Sequence, residues 1–317
     1  MSLPATPDMP RRELLFFTGM LLLIGAGWGL TQPLGKIAVS TGHRHFGLIF
    51  WQLAIGTVAF GAVSLAQRRR LPFNRDTLRV YLVVALAGTI IPNSASYQAI
   101  AHLPSGVLSI LLSLVPMLAF PMALALGLEK FAPRRLLGLL AGLAGVLLLI
   151  LPDASLPDAA MLAWVPLGLV APLFYAFEGN FVARWGTAGL DPIRVLFGAS
   201  LIGAIMALPL ALATGQFISP LRPYGAPEWA LIGSALIHVV VYAGYVWLVG
   251  RAGAVFAVQV SYVVTGFGVF WAMQILGETY SPYIWAALGI VLAGVMLVQP
   301  RRNEAVAEQA AIGENTH

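Results

Sequence analysis

The stretch EKFAPRRLLGLLAGLAGVLLL (Glu129–Leu149) decides the architecture, because the chain repeats it. Moved forward by 149 positions it lies without a gap on ETYSPYIWAALGIVLAGVMLV (Glu278–Val298). Eight of the 21 positions are identical: Glu129/Glu278, Pro133/Pro282, Leu139/Leu288, Leu143/Leu292, Ala144/Ala293, Gly145/Gly294, Val146/Val295 and Leu148/Leu297. Both copies have the same physical grammar. An apolar helix ends at a Glu, and a short polar link follows. A Pro then falls in the first turn of the next helix, where a missing N–H costs nothing. An internal repeat of this length governs the whole fold and takes precedence over local motifs.

Composition gives the setting. Of 317 residues, 59% are hydrophobic and 10% are charged, with a mean hydropathy of +0.85. Soluble domains carry about 25% charged residues; so much apolar surface belongs in lipid. The net charge of +5 comes from few, scattered basic residues and does not imply nucleic acid. Cysteine is absent, which excludes disulfides, thiolate chemistry and Cys-based metal sites. The first apolar run lacks a small-residue cleavage site and is too long for a signal-peptide core, so it reads as a membrane span.

Ten apolar segments of spanning length follow one another. They run Glu13–Val39, Phe46–Leu65, Leu78–Ala99, Leu103–Leu128, Pro133–Leu151, Ala160–Ala183, Pro192–Ala213, Glu228–Gly250, Gly253–Leu276 and Pro282–Val298. Very short links, Ala101–His102 and Arg251–Ala252 among them, force neighbouring helices to run antiparallel. With a cytoplasmic N-terminus, 15 of the 18 Lys and Arg residues fall on the inner side, leaving only Lys36, Arg44 and Arg222 outside. The positive-inside rule therefore places both termini in the cytoplasm. Five spans per repeat is an odd number, so the second copy enters the bilayer from the opposite side. The expected fold class is an all-α polytopic membrane protein of ten transmembrane helices in a 5+5 inverted-topology repeat. Its halves are residues 1–152 and 153–300, and 301–317 form a polar cytoplasmic tail, read as disordered. Inverted repeats serve alternating access around a mid-membrane site, although a duplicated static channel or receptor would carry the same signal.

Polar residues are scarce in the spans, so each is a candidate. Glu178 is the single acid deep in a span. It suits proton coupling, since burial raises a carboxyl pKa toward neutrality; it also suits an ammonium on a substrate, or an ion pair with Lys36 or Arg184. His238, Tyr242 and Tyr245 share one helical face, as do Asn93 and Tyr97 beside Pro92. Trp28 and Gln32 share a face of the first span; Gln259 and Tyr262 share a face of the ninth, with Thr265 and Gly266 below. Together with Tyr175 these make the binding candidates: Trp28, Gln32, Asn93, Tyr97, Tyr175, Glu178, His238, Tyr242, Gln259 and Tyr262. For each one, plain helix packing is the competing reading. Amides and phenols suit a polar, uncharged or zwitterionic solute. The small residues Gly138, Ala141, Gly142 and Gly145, with Ala286, Gly289, Ala293 and Gly294, read as close helix packing or as a homodimer seam. Pro33, Pro92, Pro116, Pro121, Gly266 and Gly268 supply bending. No phosphate loop, HExxH or nucleophile elbow is present, so no catalytic residue, metal or cofactor is assigned.

The run AHLPSGVLSILLSLVPMLAFPMALALGLEKFAPRRLLGLLAGLAGVLLL (Ala101–Leu149) resembles the EamA domain of the drug/metabolite transporter superfamily. Its echo from Arg251 to Leu297 does so too, and GWGLTQPLGKIA (Gly27–Ala38) resembles the family's opening helix. The first copy departs slightly, with Leu128 between Gly127 and Glu129. The resemblance implies a ten-helix exporter of small metabolites, amino acids or xenobiotics that works without ATP. The expected partners are a small-molecule substrate and the lipid bilayer of the inner membrane, with no nucleic acid, in a monomer or homodimer. A xenobiotic exporter, a non-transporting sensor or scaffold, and a membrane-embedded lipid enzyme are the alternatives.

Overall fold

The computed structural model describes residues 11–151, 156–257 and 259–298. The expected boundary between the halves at 152–153, Arg301, Arg302 and the tail 301–317 lie outside the described residues. The described residues form helices and connecting turns, with no strand among them. In chain order the α-helices are α1 (Arg11–Val39), α2 (His45–Ala66), α3 (Arg75–Ala85), α4 (Ile91–His102), α5 (Ser105–Leu112), α6 (Val115–Ala125) and α7 (Pro133–Ile150). Then come α8 (Val165–Gly168), α9 (Val170–Trp185), α10 (Pro192–Ala213), α11 (Ala226–Ala252), α12 (Ala254–Ala257), α13 (Val260–Leu276) and α14 (Pro282–Val298). A π-helical turn, Leu86–Ile90, joins α3 to α4, and a 3₁₀ turn, Ala159–Trp164, precedes α8. Eight helical stretches are long and apolar enough to cross a membrane, and α13 and α14 are shorter apolar helices. At about 1.5 Å per residue, 17 residues rise roughly 25 Å, slightly short of a hydrocarbon core of about 30 Å.

Local chemistry sets many of the ends. Asn74 and Thr77 form a reciprocal cap on α3, each side chain accepting from the other's backbone N–H at 2.9 and 3.0 Å. Asp191 accepts from the Arg194 N–H at the start of α10. Prolines occupy the first turn of α7 and α10. The tight links lie slightly further along than expected, at Leu103–Pro104 and at Gly253. Gly253 has φ +84°, which a glycine adopts without the penalty a side chain brings, so α11 runs on through Arg251 and Ala252 to reach it.

Several crossings are broken. Pro92 cannot donate to the carbonyl four residues back, Gly88, so an α-helical ladder fails there. The chain answers with the π turn, in which the Ile91 N–H reaches Leu86 O. The fourth crossing breaks at Ser113–Leu114, and Pro116 sits in the first turn of α6. Pro33, by contrast, lies inside an unbroken α1.

Corresponding segments of the two repeats pack antiparallel. A Cβ on Gly138 of α7 would fall 2.6 Å from Gly294 O of α14, and one on Gly294 would fall 2.8 Å from Gly138 O. Further along α7, a Cβ on Gly145 would fall 2.4 Å from Val291 Cγ2 and 3.3 Å from Ala287 O. The 149-residue offset maps the Gly138–Gly294 contact onto the Ala287–Gly145 contact, so this seam has its own two-fold symmetry. α2 and α10 also run antiparallel, with Gly203 against Leu53, Gly56 against Ser200 and Gly61 against Phe197. α1 lies between α11 and α13; Gly29 comes so near Gly268 that a Cβ would sit 2.7 Å from its nitrogen. The main apolar core gathers Leu103, Leu108, Ile110, Leu111, Met117 and Leu149 with Ile284 and Val291.

Candidate functional site

The polar side chains expected to form a wall converge in two groups. In the first, the Tyr175 hydroxyl (α9) donates to Asn93 Oδ1 (α4) at 2.9 Å. Asn93 Nδ2 donates to Gln52 Oε1 (α2) at 3.1 Å, and the Tyr97 hydroxyl donates to the same oxygen at 3.1 Å. A hydrogen-bonded chain therefore ties α2, α4 and α9 together. In the second group, the Trp28 ring (α1) stands edge-on to three rings of α11: His238 at 5.8 Å, Tyr242 at 6.2 Å and Tyr245 at 5.8 Å between centroids. Edge-to-face aromatic geometry of this kind is the favourable one.

Glu178 (α9) has a neighbour in each group. It lies within electrostatic reach of both Tyr175 and Tyr242. Its carboxylate rests on the π turn at Gly88, where a Cβ would meet Oε2 at 2.6 Å and Oε1 at 2.7 Å. The ion pair with Lys36 is not formed, because Lys36 Nζ is used elsewhere: it donates to the carbonyls of Ile100 at 2.6 Å and Leu103 at 2.9 Å. Among the described residues Glu178 has no Lys or Arg partner, Arg184 included.

All ten sequence candidates except Gln259 are partly buried. Gln32, one turn beyond Trp28, is half-buried on the same helix. Gln259 and Tyr262 do not join the groups. The helix restarts at Val260 with Gln259 as its exposed N-cap, so the face expected from an unbroken helix does not carry through. Tyr262 packs on the core around α5, α6, α7 and α14. Thr265 is buried, its hydroxyl donating to Ser261 O at 2.9 Å.

A cavity of about 250 Å³ opens beside the first group. Tyr175, Asn180, Pro116 and Phe120 line it, together with Glu129 and Arg135, which form an ion pair. The Arg135 guanidinium also lies 5.7 Å from the Phe120 ring centroid, a cation–π contact. Asn180 Nδ2 donates to Ala176 O at 2.9 Å and Ala119 O at 3.1 Å. Gln52, Gly88, Asn180 and Arg135 are absent from the sequence-derived candidates. Gln52 stands alone among apolar residues of α2, without a partner at helical spacing, and an amide inside a span was its only signal.

These features define a polytopic helical membrane protein with a polar interior contributed by both repeats. The profile of the EamA-like transporter family matches residues 16–151 and 162–299, and the chain belongs to that family. It is similar to the uncharacterized inner membrane transporter YedA of Escherichia coli K12, at 23% identity over 297 residues, 90% of this chain and 92% of the relative. A second relative, the uncharacterized protein PA1977 of Pseudomonas aeruginosa, is 31% identical over 186 residues, covering 57% of this chain and 61% of its own. One solved crystal structure of a protein superposes with a TM-score of 0.59 at 20% identity, covering 87% of this chain and 95% of the other, a likeness of fold.

Proposed function

We propose that the chain exports small amphipathic solutes, amino acids among them, across the inner membrane by alternating access. In this reading ten spans form a 5+5 inverted repeat, with halves 1–152 and 153–300 and both termini cytoplasmic. The two halves rock about the polar interior. One observation carries the proposal: Glu178, without a Lys or Arg partner among the described residues, rests on the Gly88 backbone within electrostatic reach of Tyr175 in one polar group and Tyr242 in the other. An intramembrane acid in such a place is a functional group by default. It can take a proton, or the ammonium of a substrate. Glu129 and Arg135 present both signs of charge in the cavity lining, which suits a zwitterion. Family membership supports a transporter rather than an enzyme, and the inner-membrane name of the E. coli relative supports the location.

The test is flux in proteoliposomes with an imposed pH gradient, using labelled amino acids. Gradient-driven uptake is expected to be lost in Glu178→Gln, because an amide cannot take up and release the coupled proton. Full gradient-driven uptake in that variant rejects proton coupling at Glu178. A second reading, export of flat aromatic xenobiotics, is favoured by the rings of Trp28, Tyr242 and Tyr245. It predicts flux of planar dyes in place of amino acids. Absence of flux for either class supports a sensor or scaffold.

A further inference from the structure

The repeated Glu is used in two different ways. Glu278, in the second repeat, reaches across to the first. Its Oε1 accepts from the Ser105 N–H at 2.7 Å and its Oε2 from the Gly106 N–H at 3.1 Å, at the start of α5. Carboxylate bonds to backbone N–H groups at a helix start are charge-assisted and follow the helix dipole. The Tyr280 hydroxyl donates a third bond to Oε2 at 2.6 Å. Gly106 makes room for that ring, since a Cβ there would fall 2.1 Å from the Tyr280 hydroxyl oxygen. Lys36 caps the carbonyls that end α4 just beside this point, close enough to feel the charge of Glu278. The Ser105 hydroxyl is fully buried here and finds no hydrogen-bond partner among the described residues. Leaving such a group unpaired is a cost of closure that opening would relieve. The counterpart Glu129 is engaged differently: it pairs with Arg135 at the start of the next helix of its own repeat. That pair lines the cavity, at the opposite end of the α5–α6 crossing from the clasp.

We propose that the Glu278 clasp on Ser105 and Gly106 is the latch that holds one face of the transporter shut while the Glu129 face stands open. The latch joins residues of both repeats, so it must part when the halves rock the other way. The idea rests on the alternating-access reading above. By charge asymmetry the latched face is the outer one, since residues 103–104 and 277–281 carry no Lys or Arg. Among the neighbours of the latch, burial first and Glu278 second push the Tyr280 hydroxyl up, so it remains a donor to the carboxylate.

The absence of cysteine makes the test direct. Ser109→Cys puts a thiol one turn below the clasp, on a buried side chain that packs against Gly268. Ala123→Cys puts one in the cavity wall. An impermeant charged methanethiosulfonate is applied to each face of reconstituted vesicles, and modification rates are read by mass shift. In the parent, Ser109→Cys is expected to react slowly from the latched face and Ala123→Cys readily from the other. Glu278→Gln should raise the Ser109→Cys rate about tenfold and slow Ala123→Cys, because loss of a charge-assisted contact shifts a two-state population by about that factor. Gly106→Ala, which pushes Tyr280 off the carboxylate, should act in the same direction. A Ser109→Cys rate within about twofold of the parent in both variants overturns the latch, and so does a rise without slowing at Ala123. If Glu278→Gln does not fold, as judged by monodispersity, Gly106→Ala and Tyr280→Phe carry the test under the same criteria. Labelling needs no substrate. A negative result therefore leaves the export reading standing, and absence of flux alongside the expected labelling changes does the reverse.

Discussion

Glu178 sits against bare backbone because residue 88 is glycine. A methyl at that position would displace the carboxylate, since the nearest atoms are the end of that side chain. Misplacement of a functional group by about 1 Å can cost up to roughly a hundredfold in rate. Gly88→Ala is therefore expected to lower gradient-driven flux about tenfold while the thermal midpoint in detergent changes little. In a Glu178→Gln background the same substitution should have almost no further effect on flux, because both act through one group. Additive losses would assign Gly88 to helix packing alone. The sequence marks Glu178 plainly, as an acid in an apolar run. It does not mark Gly88, whose role depends on a side chain 90 residues away, or Gln52, whose partners lie on α4.

The helices themselves were far more readable than their breaks. Long apolar runs and the positions of Pro133, Pro192 and Pro282 place the starts of α7, α10 and α14 at the expected residues. Pro92 and Pro116 mark bends near the π turn and the interruption at Ser113–Leu114, but a proline alone does not say how many residues a break spans or which carbonyl the next N–H reaches. No proline or glycine adjoins Gln259, so nothing in the sequence marks it as the N-cap of a restarted helix. The α7–α14 seam, in contrast, depends on small residues that show directly in the repeat. Gly138→Ala would bring a Cβ within 2.6 Å of a backbone oxygen, which cannot step aside as a flexible side chain can. The expected loss is about 1–3 kcal/mol, the usual range for overpacking. It is read as a lower thermal midpoint in detergent, with Gly179→Ala, where a Cβ meets nothing within 4 Å, as the neutral control for packing.

Across the whole molecule, peripheral contacts between the repeats occur at both ends. At one, His43 Nε2 lies 2.8 Å from Glu228 Oε1, and Arg222 approaches the same oxygen at 3.2 Å. At the other, Arg69 bridges to Asp191 at 2.9 Å. Burial would raise the Asp191 carboxyl, but hydrogen bonds from Arg194 and the charges of Arg194 and Arg69 outweigh it and hold the group below its ordinary value. Orientation is tested on these same ends. Ser219→Cys and Arg70→Cys, both exposed, should label from opposite faces of intact cells, Ser219→Cys from outside and Arg70→Cys only after permeabilisation. Reversed labelling would invert the assignment of the latch to the outer face.

The two-fold symmetry of the α7–α14 seam has an energetic meaning. In the alternating-access reading, a joint that relates the two repeats by a two-fold axis contributes alike to the inward-facing and outward-facing forms, so it would act as a pivot with no preferred side. The resting bias must then come from places where the repeats differ, as they do at Glu129 with Arg135 and at Glu278 with the start of α5. Substitutions along the pivot should change how firmly the halves are joined, and substitutions at those two acids should change which way the protein faces at rest.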